Sequence, residues 1–266
     1  MTMKILVTGA RGFVGHKLME LCEGTIAAPS LRNASAEEVH RLVEESGADV
    51  IIHTAAVSDI AACANDPEAS YQANVLLPEY LARASQGRKL ICFSSDQVYS
   101  GCSGEGPYTE ETVQPANRYA EQKLEMEQRV LEICPEAVLL RAEWMYDYWT
   151  KRSNYLMTIL NAEETVSFSS RQYRGITYLN EVAENMKNVI AMPGGVYNFG
   201  SETRLSMYEI TCQFAAYIGK DVRVIDAAPR HNLWMNCEKA KACGVVFSDA
   251  LDGLKKCAAD YELCRH

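Results

Sequence analysis

Of the chain's 14 tyrosines, only Tyr119 has a lysine four residues on, Lys123. Four residues make about one helical turn, a rise of ~6 Å, so on a helix the two side chains share a face. A nearby ammonium favours phenolate, so Lys123 is expected to pull the Tyr119 phenol from its usual pKa of about 10 toward neutrality and make it a general acid. An ordinary helix-surface pair is the other reading that the spacing leaves open. A second group of reactive types is Ser94-Ser95-Asp96, which ends the apolar run Lys89-Leu90-Ile91-Cys92-Phe93. A hydroxyl there can hydrogen-bond and polarise a substrate carbonyl, although Ser and Asp also serve as plain turn residues. The third group is Gly9, Gly12 and Gly15, directly after Ile5-Leu6-Val7-Thr8. Glycines so spaced let the chain turn off a strand, approach a pyrophosphate and present helix N–H groups to it.

Positioning these groups requires particular elements. The first fifteen residues read as strand, tight turn and helix, followed by a short strand in Gly24-Thr25-Ile26-Ala27-Ala28. Ser35 with Glu38 makes a capping box for a helix bearing Val39, Leu42 and Val43 on one face. Asp49-Val50-Ile51-Ile52-His53 has the continuous apolar character of a buried parallel strand. A helix over about 67–86, the strand at 89–93, a helix over about 115–134 and the strand Ala137-Val138-Leu139-Leu140 continue the alternation. Further helices are predicted near 179–191, 205–218, 238–243 and 248–259, with a strand Gly195-Val196-Tyr197-Asn198-Phe199. The fold class is therefore α/β: a doubly wound parallel sheet with a smaller C-terminal substrate lobe. Residues 1–150 form the nucleotide-binding part, with 175–200 returning to it, and 151–174 with 201–266 form the lobe. The loop Ser100-Gly101-Cys102-Ser103-Gly104-Glu105-Gly106-Pro107 lies where active-site loops sit in open α/β sheets.

Composition narrows the function classes. A chain of 266 residues with 48% hydrophobic content can bury a sizeable core. No stretch approaches the ~20 apolar residues of a membrane span, and no signal peptide precedes the first strand, so a cytoplasmic protein is expected. The ten cysteines contain no Cys-x-x-Cys pair, which points to reduced packing residues and to no metal site. A formal net charge of −9 argues against nucleic acid as a partner.

The cofactor's 2′ group is read at the end of the second strand, where an acidic side chain would hold the ribose hydroxyl of NAD. Ala28-Pro29-Ser30-Leu31-Arg32 offers none. Arg32 and Arg11 are the nearest cations for a 2′-phosphate, so NADP is preferred over NAD, with two solvated loop arginines as the other reading.

Taken together these residues carry a family likeness. The chain resembles the extended short-chain dehydrogenase/reductases, and most closely their dTDP-4-dehydrorhamnose reductase branch, which binds its cofactor on a Rossmann sheet. The likeness runs through Thr8-Gly9-Ala10-Arg11-Gly12-Phe13-Val14-Gly15, His53-Thr54-Ala55-Ala56, Tyr71-Gln72-Ala73-Asn74, Ser94-Ser95-Asp96-Gln97-Val98-Tyr99-Ser100-Gly101, Pro107-Tyr108-Thr109-Glu110, Tyr119-x-x-x-Lys123 and Leu140-Arg141-Ala142-Glu143-Trp144. It implies a catalytic set of Ser95, Tyr119 as proton donor, and Lys123 tuning the tyrosine and binding the nicotinamide ribose. It implies cofactor contacts from the 9–15 loop, Ala55, Ala56, Asn74 and Ser94. Trp144 matches a substrate-region tryptophan, and Asp96, Gln97 and Arg174 are assigned to the substrate side. The implied activity is reduction of a nucleotide-activated 4-keto sugar by hydride transfer, with a homodimer open to it. The alternatives are an epimerase or dehydratase of sugar nucleotides, or a non-catalytic nucleotide-binding regulatory subunit.

The departures from the family pattern cluster on the substrate side. Gln97 replaces an aromatic, so Asp96-Gln97 makes only half of the acidic pair that dehydratases carry. Arg171-Gln172-Tyr173-Arg174-Gly175-Ile176-Thr177 matches the usual Asp-Gln-x-Gly-x-Pro-Thr only loosely, and Pro229-Arg230-His231-Asn232-Leu233-Trp234 reverses the familiar Arg-Pro order. Arg174, Arg230 and His231 are the candidates to meet a diphosphate, each equally readable as a solvated side chain.

Overall fold

The computed structural model describes residues 2–148, 153–228 and 232–264. Six strands form one parallel sheet: β1 (Ile5–Thr8), β2 (Thr25–Ala27), β3 (Val50–His53), β4 (Lys89–Ser95), β5 (Val138–Ala142) and, far along the chain, β9 (Gly195–Phe199). Their order is β2-β1-β3-β4-β5-β9, with every pairing parallel. The chain runs outward from β1 to β2 and then returns to the other side of β1 to form β3. This reversal leaves a crevice at the carboxyl ends of β1 and β3, the place where doubly wound sheets bind ligands.

Both faces of the sheet are covered, which explains the unbroken apolar runs. Ile5, Val7, Ile52, Ile91 and Leu140 pack with Leu18 of α1 (Phe13–Leu21) and with Val182 and Met186 of α8 (Leu179–Ala191). Leu6, Ile51, Leu90 and Leu139 point the other way, against α2 (Ala36–Ser46), α5 (Leu77–Ala84) and α6 (Arg118–Ile133). A second core holds Tyr146, Tyr178, Phe214 and Leu254, contributed by β6 (Trp144–Tyr146), β8 (Ile176–Tyr178), α9 (Met207–Tyr217) and α11 (Ala250–Asp260). β6 pairs with β8, and β7 (Thr165–Phe168) pairs with β10 (Arg223–Asp226).

Several elements depart from the sequence-based expectation for identifiable reasons. The helix expected over 67–86 starts at Pro67, capped by Asp66, and is interrupted by a π turn at Gln72–Leu76 before α5. The helix expected from 115 begins at Arg118, because the Asn117 side chain accepts from Ala120 N (2.9 Å) and caps it there. β4 extends two residues further than predicted, carrying both serines into the sheet. A short helix at Ile60–Asn65 and strands β6, β7, β8 and β10 were not predicted: each is too short for its period to stand out. Ala240 of the helix Glu238–Lys241, together with Val245, was expected in the lobe but packs into the core of the main sheet.

Candidate functional site

The glycine loop lies at the crevice. Gly9 has φ +71°, in the left-handed region that glycine tolerates best, and an added Cβ there would sit 2.8 Å from Ala55 N. At Gly15 a Cβ would fall 2.3 Å from the Gly9 carbonyl oxygen, so only glycine lets α1 begin this close to β1. Gly12 is the N-cap of α1, and no side chain caps that end. The N–H groups of its first turn have no side-chain acceptor, and with the positive dipole end they suit an anion such as a pyrophosphate. Ala10, Phe13 and Val14 are half-buried, and Arg11 is exposed at the tip. Arg32, beyond β2, is also exposed.

The opposite wall of the crevice follows β3. Thr54 Oγ1 donates to the Thr8 carbonyl (2.8 Å), joining the ends of β1 and β3. Ala55 is half-buried and Ala56 exposed. Asn74, fully buried in the π turn, accepts from Val57 N (2.9 Å) and donates to Val57 O (3.0 Å) and to Gln122 Oε1 (2.9 Å). Its side chain holds the loop that shapes the wall. Beneath lies His53, whose Nδ1 is 2.7 Å from Thr8 Oγ1; burial holds its pKa down at about 3, so the ring is neutral.

At the end of β4, Ser95, Tyr119 and Lys123 come together. Ser95 is buried, and its hydroxyl is near enough to the Tyr119 phenol to favour phenolate slightly, a smaller influence than the burial that opposes it. Lys123 is 1% exposed, donates to the Phe93 carbonyl (2.7 Å), and lies 5.9 Å from the centre of the Tyr119 ring. Burial lowers the Lys123 pKa to about 8. The tyrosine corrects one expectation: its pKa is raised rather than lowered, because burial, with the nearby Asp96 charge, disfavours phenolate. Tyr119 is therefore a phenol that keeps its proton until a stronger base forms beside it.

The Ser94 side chain is turned away from this group. Its hydroxyl donates to Glu127 Oε1 (2.5 Å), inside a buried network in which Arg141 binds both Glu127 oxygens and Tyr99 Oη (2.9 Å). Alternate residues of a strand face opposite sides, so Ser94 turns inward where Ser95 faces Tyr119.

The substrate-side residues converge from distant parts of the chain. Asp96 Oδ1 accepts from Ser95 Oγ (3.2 Å), and Asp96 Oδ2 pairs with Arg174. The Arg174 guanidinium lies 4.0 Å over the ring of Trp144, which is 40% exposed. Arg174 is thus a buried, paired group rather than a solvated one. Gln97 N donates to Ser95 Oγ (3.2 Å), and Gln97 Oε1 accepts from Asn117 (3.3 Å). Arg230 and His231 lie outside the described residues.

Three buried groups at or behind the site were not singled out from the sequence. Glu143 accepts from Thr177 Oγ1 (2.5 Å) and Ser201 N (2.8 Å), and burial pushes its carboxyl well above the usual range. Glu127 and Arg141 form a buried ion pair at 2.7 Å. A charged residue inside an apolar strand, as at Arg141, is the one sequence signal that could have flagged it. The ten cysteines are free thiols. Among the described residues no helix is long and apolar enough to cross a membrane, and no three His, Cys, Asp or Glu side chains group as metal ligands do.

Fold and site together define a class: a doubly wound α/β protein with a dinucleotide-type glycine loop facing a buried Ser–Tyr–Lys set. Residues 3–243 match the family described as the RmlD substrate binding domain, and the chain belongs to that family. Among curated proteins it is similar to methionine adenosyltransferase 2 subunit beta of Xenopus tropicalis, 31% identical over 241 residues that span 80% of this chain and 71% of that protein. Among solved structures, a dTDP-4-dehydrorhamnose reductase from Clostridium acetobutylicum matches with a TM-score of 0.87 and 22% identity, covering 98% of this chain and 100% of the other. The dTDP-4-dehydrorhamnose reductase of Bacillus anthracis in complex with NADP gives the same values. At this identity the structural likeness is one of fold.

Proposed function

We propose that the protein is an NADP-preferring reductase of the keto group of a nucleotide-activated sugar, a 4-keto sugar of the dTDP-4-dehydrorhamnose kind. The observation that carries this reading is the buried, protonated Tyr119 near the Ser95 hydroxyl and one helical turn from Lys123, in a fold whose glycine loop suits a pyrophosphate.

The uncapped start of α1 and the close approach forced by Gly9 and Gly15 fit a dinucleotide, with the 9–15 loop holding its phosphates and Ala55, Ala56 and the backbone of Ser94 along its path. Bound there, the nicotinamide supplies a hydride to the carbonyl carbon of the sugar. Ser95 donates a hydrogen bond to the carbonyl oxygen and fixes it against Tyr119. As that oxygen gains negative charge it becomes a stronger base than the phenolate, and Tyr119 Oη delivers its proton to give the alcohol. Lys123, mostly protonated at neutral pH because its pKa is about 8, stabilises the phenolate left behind and has N–H groups remaining for a ribose hydroxyl.

Methionine adenosyltransferase 2 subunit beta among the relatives supports a second reading, a nucleotide-binding regulatory subunit without turnover. The observation favouring it is Arg174, which occupies both Asp96 and the face of Trp144 beside Ser95. Epimerisation or dehydration has less support, because Gln97 rather than an acid follows Asp96.

One experiment separates these readings: steady-state oxidation of NADPH and NADH against a panel of nucleotide 4-keto sugars, with Tyr119→Phe as control. The reductase reading expects NADPH consumption with one panel member and a loss of about 100-fold or more in Tyr119→Phe. Tight NADPH binding with no turnover on any sugar supports the regulatory reading and defeats the first.

A further inference from the structure

We propose that Arg174 is a positioning residue of this reaction: it holds Asp96 beside the catalytic hydroxyl while cancelling the negative charge that Asp96 would otherwise present to the oxygen being reduced. The inference rests on the reductase reading and extends it to a residue that the family pattern does not supply, since the usual segment carries glycine at this position.

The geometry sets the problem that Arg174 solves. Asp96 follows Ser95 directly, is 3% exposed and accepts from the Ser95 hydroxyl. Its charge reaches both Tyr119 and Glu143. The reaction places negative charge first on the substrate oxygen and then on Tyr119, both within this group's neighbourhood. A buried, unbalanced carboxylate opposes each of them, because charges interact strongly where water is excluded. The same carboxylate, once balanced, is useful: it holds the Ser95 hydroxyl in place until the substrate oxygen replaces it as acceptor of the single hydroxyl proton.

Charged and titratable groups reach Asp96 from four elements: Ser95 with its own strand β4, Tyr119 from α6, Glu143 from the β5–β6 junction, and Arg174 from the segment before β8. Glu143, being an acid, cannot act as the balancing group, and burial pushes its carboxyl well above the usual range. The group that pairs directly with the guanidinium is Asp96. The route of Arg174 is tightly built. At Gly175 an added Cβ would lie 1.9 Å from Ser201 O and 2.1 Å from Glu143 Oε2, so the backbone passes against Glu143 and sends Arg174 inward. There it stacks over Trp144 at 4.0 Å, while its Nε is buried with no acceptor. Burying a guanidinium with one N–H unmatched is costly, and a residue serving packing alone would not need the charge.

The test is a set of variants, Arg174→Gln, Arg174→Lys, Asp96→Asn and the double variant Arg174→Gln with Asp96→Asn. For each, kcat and KM are measured separately from pH 6 to 9 with the turned-over panel sugar, and the folded fraction is counted by NADPH binding. We expect Arg174→Gln to lower kcat about 100-fold with a smaller change in KM, the scale of losing one preorganised electrostatic contact. Its rate should climb as pH falls, because protonating Asp96 removes the opposing charge. Arg174→Lys, which keeps the charge without the stacking, should stay within about threefold of the parent, and Asp96→Asn should restore most of the kcat lost in Arg174→Gln. An unchanged kcat in Arg174→Gln overturns the proposal, as does a loss that Asp96→Asn fails to relieve and whose pH profile parallels the parent's. If no sugar is turned over by the parent, the reductase reading fails, and the charge pairing is then judged by urea unfolding. Arg174→Gln should lose stability at pH 8, regaining it as pH falls or when Asp96→Asn is added, and absence of that coupling overturns the pairing itself.

Discussion

Lys123 Nζ lies 5.9 Å from the centre of the Tyr119 ring and is anchored 2.7 Å from the Phe93 carbonyl, so one buried ammonium joins the helix of Tyr119 to the strand of Ser95. Burying it is unfavourable, and its pKa falls from 10.5 to about 8. In that interval the unfolded chain holds a proton that the folded chain has released, so this lysine makes stability rise with pH from about 8 to about 10.5, and the gain disappears below 8. The whole step is about 3 kcal/mol at roughly 1.4 kcal/mol per pH unit. Urea unfolding of the parent and of Lys123→Met across pH 7.5–10.5 should show the difference between them closing by this amount; parallel curves would contradict it.

The glycine loop makes a steric prediction. Gly15→Ala puts a methyl 2.3 Å from the Gly9 oxygen, which backbone cannot give way to without moving α1 off the sheet. Overpacking of this kind destabilises by about 1–3 kcal/mol. NADPH is expected to raise the melting temperature of the parent, and most of that shift should be lost in this variant.

Cofactor preference should rest on Arg11. It is exposed at the tip of the loop, and no acid follows β2. Arg11→Ala is expected to lower the NADPH to NADH affinity ratio about tenfold, the scale of one charge-assisted hydrogen bond. Arg32→Ala, from the loop after β2, is the comparison. An unchanged ratio in both would return the 2′-phosphate to other groups.

Behind the site, Glu127 and Arg141 are both almost wholly buried, at 2.7 Å. Glu127→Gln strands the guanidinium and should cost about 3–5 kcal/mol, because an unpaired buried charge is far worse than a missing pair. Replacing both, with Glu127→Gln and Arg141→Met, should recover most of that loss in urea unfolding. Ser94, which donates to Glu127, then loses its acceptor's charge but not its hydrogen bond.

Much of this molecule was readable from residue order alone, because the signals are local. Apolar runs at 5–8, 50–53, 89–93 and 195–199 mark strands buried on both faces, and the Ser35–Glu38 capping box forms as its spacing requires. The helix at 179–191 falls where its period puts it. The Tyr119-x-x-x-Lys123 spacing set both side chains on one helix face.

What the spacing could not decide is what surrounds them. Whether Lys123 lowers the phenol's pKa or burial raises it depends on how much water the packed helix and strand exclude. Exclusion is a property of α6 lying on β4, residues some 25 positions apart in the chain. Ser94 was assigned by adjacency to Ser95, but pleating turns neighbours to opposite sides, and only the position of Glu127 settles which side is occupied by charge. Asp96, the neighbours Glu143 and Trp144, and Arg174 come from three separate segments, and nothing in their local order announces that they meet. Sequence determined the elements and the reactive types at their ends, since those follow from nearest neighbours and periodicity. Tertiary structure decided protonation, pairing and partners, since these depend on long-range contacts and on the water that those contacts remove.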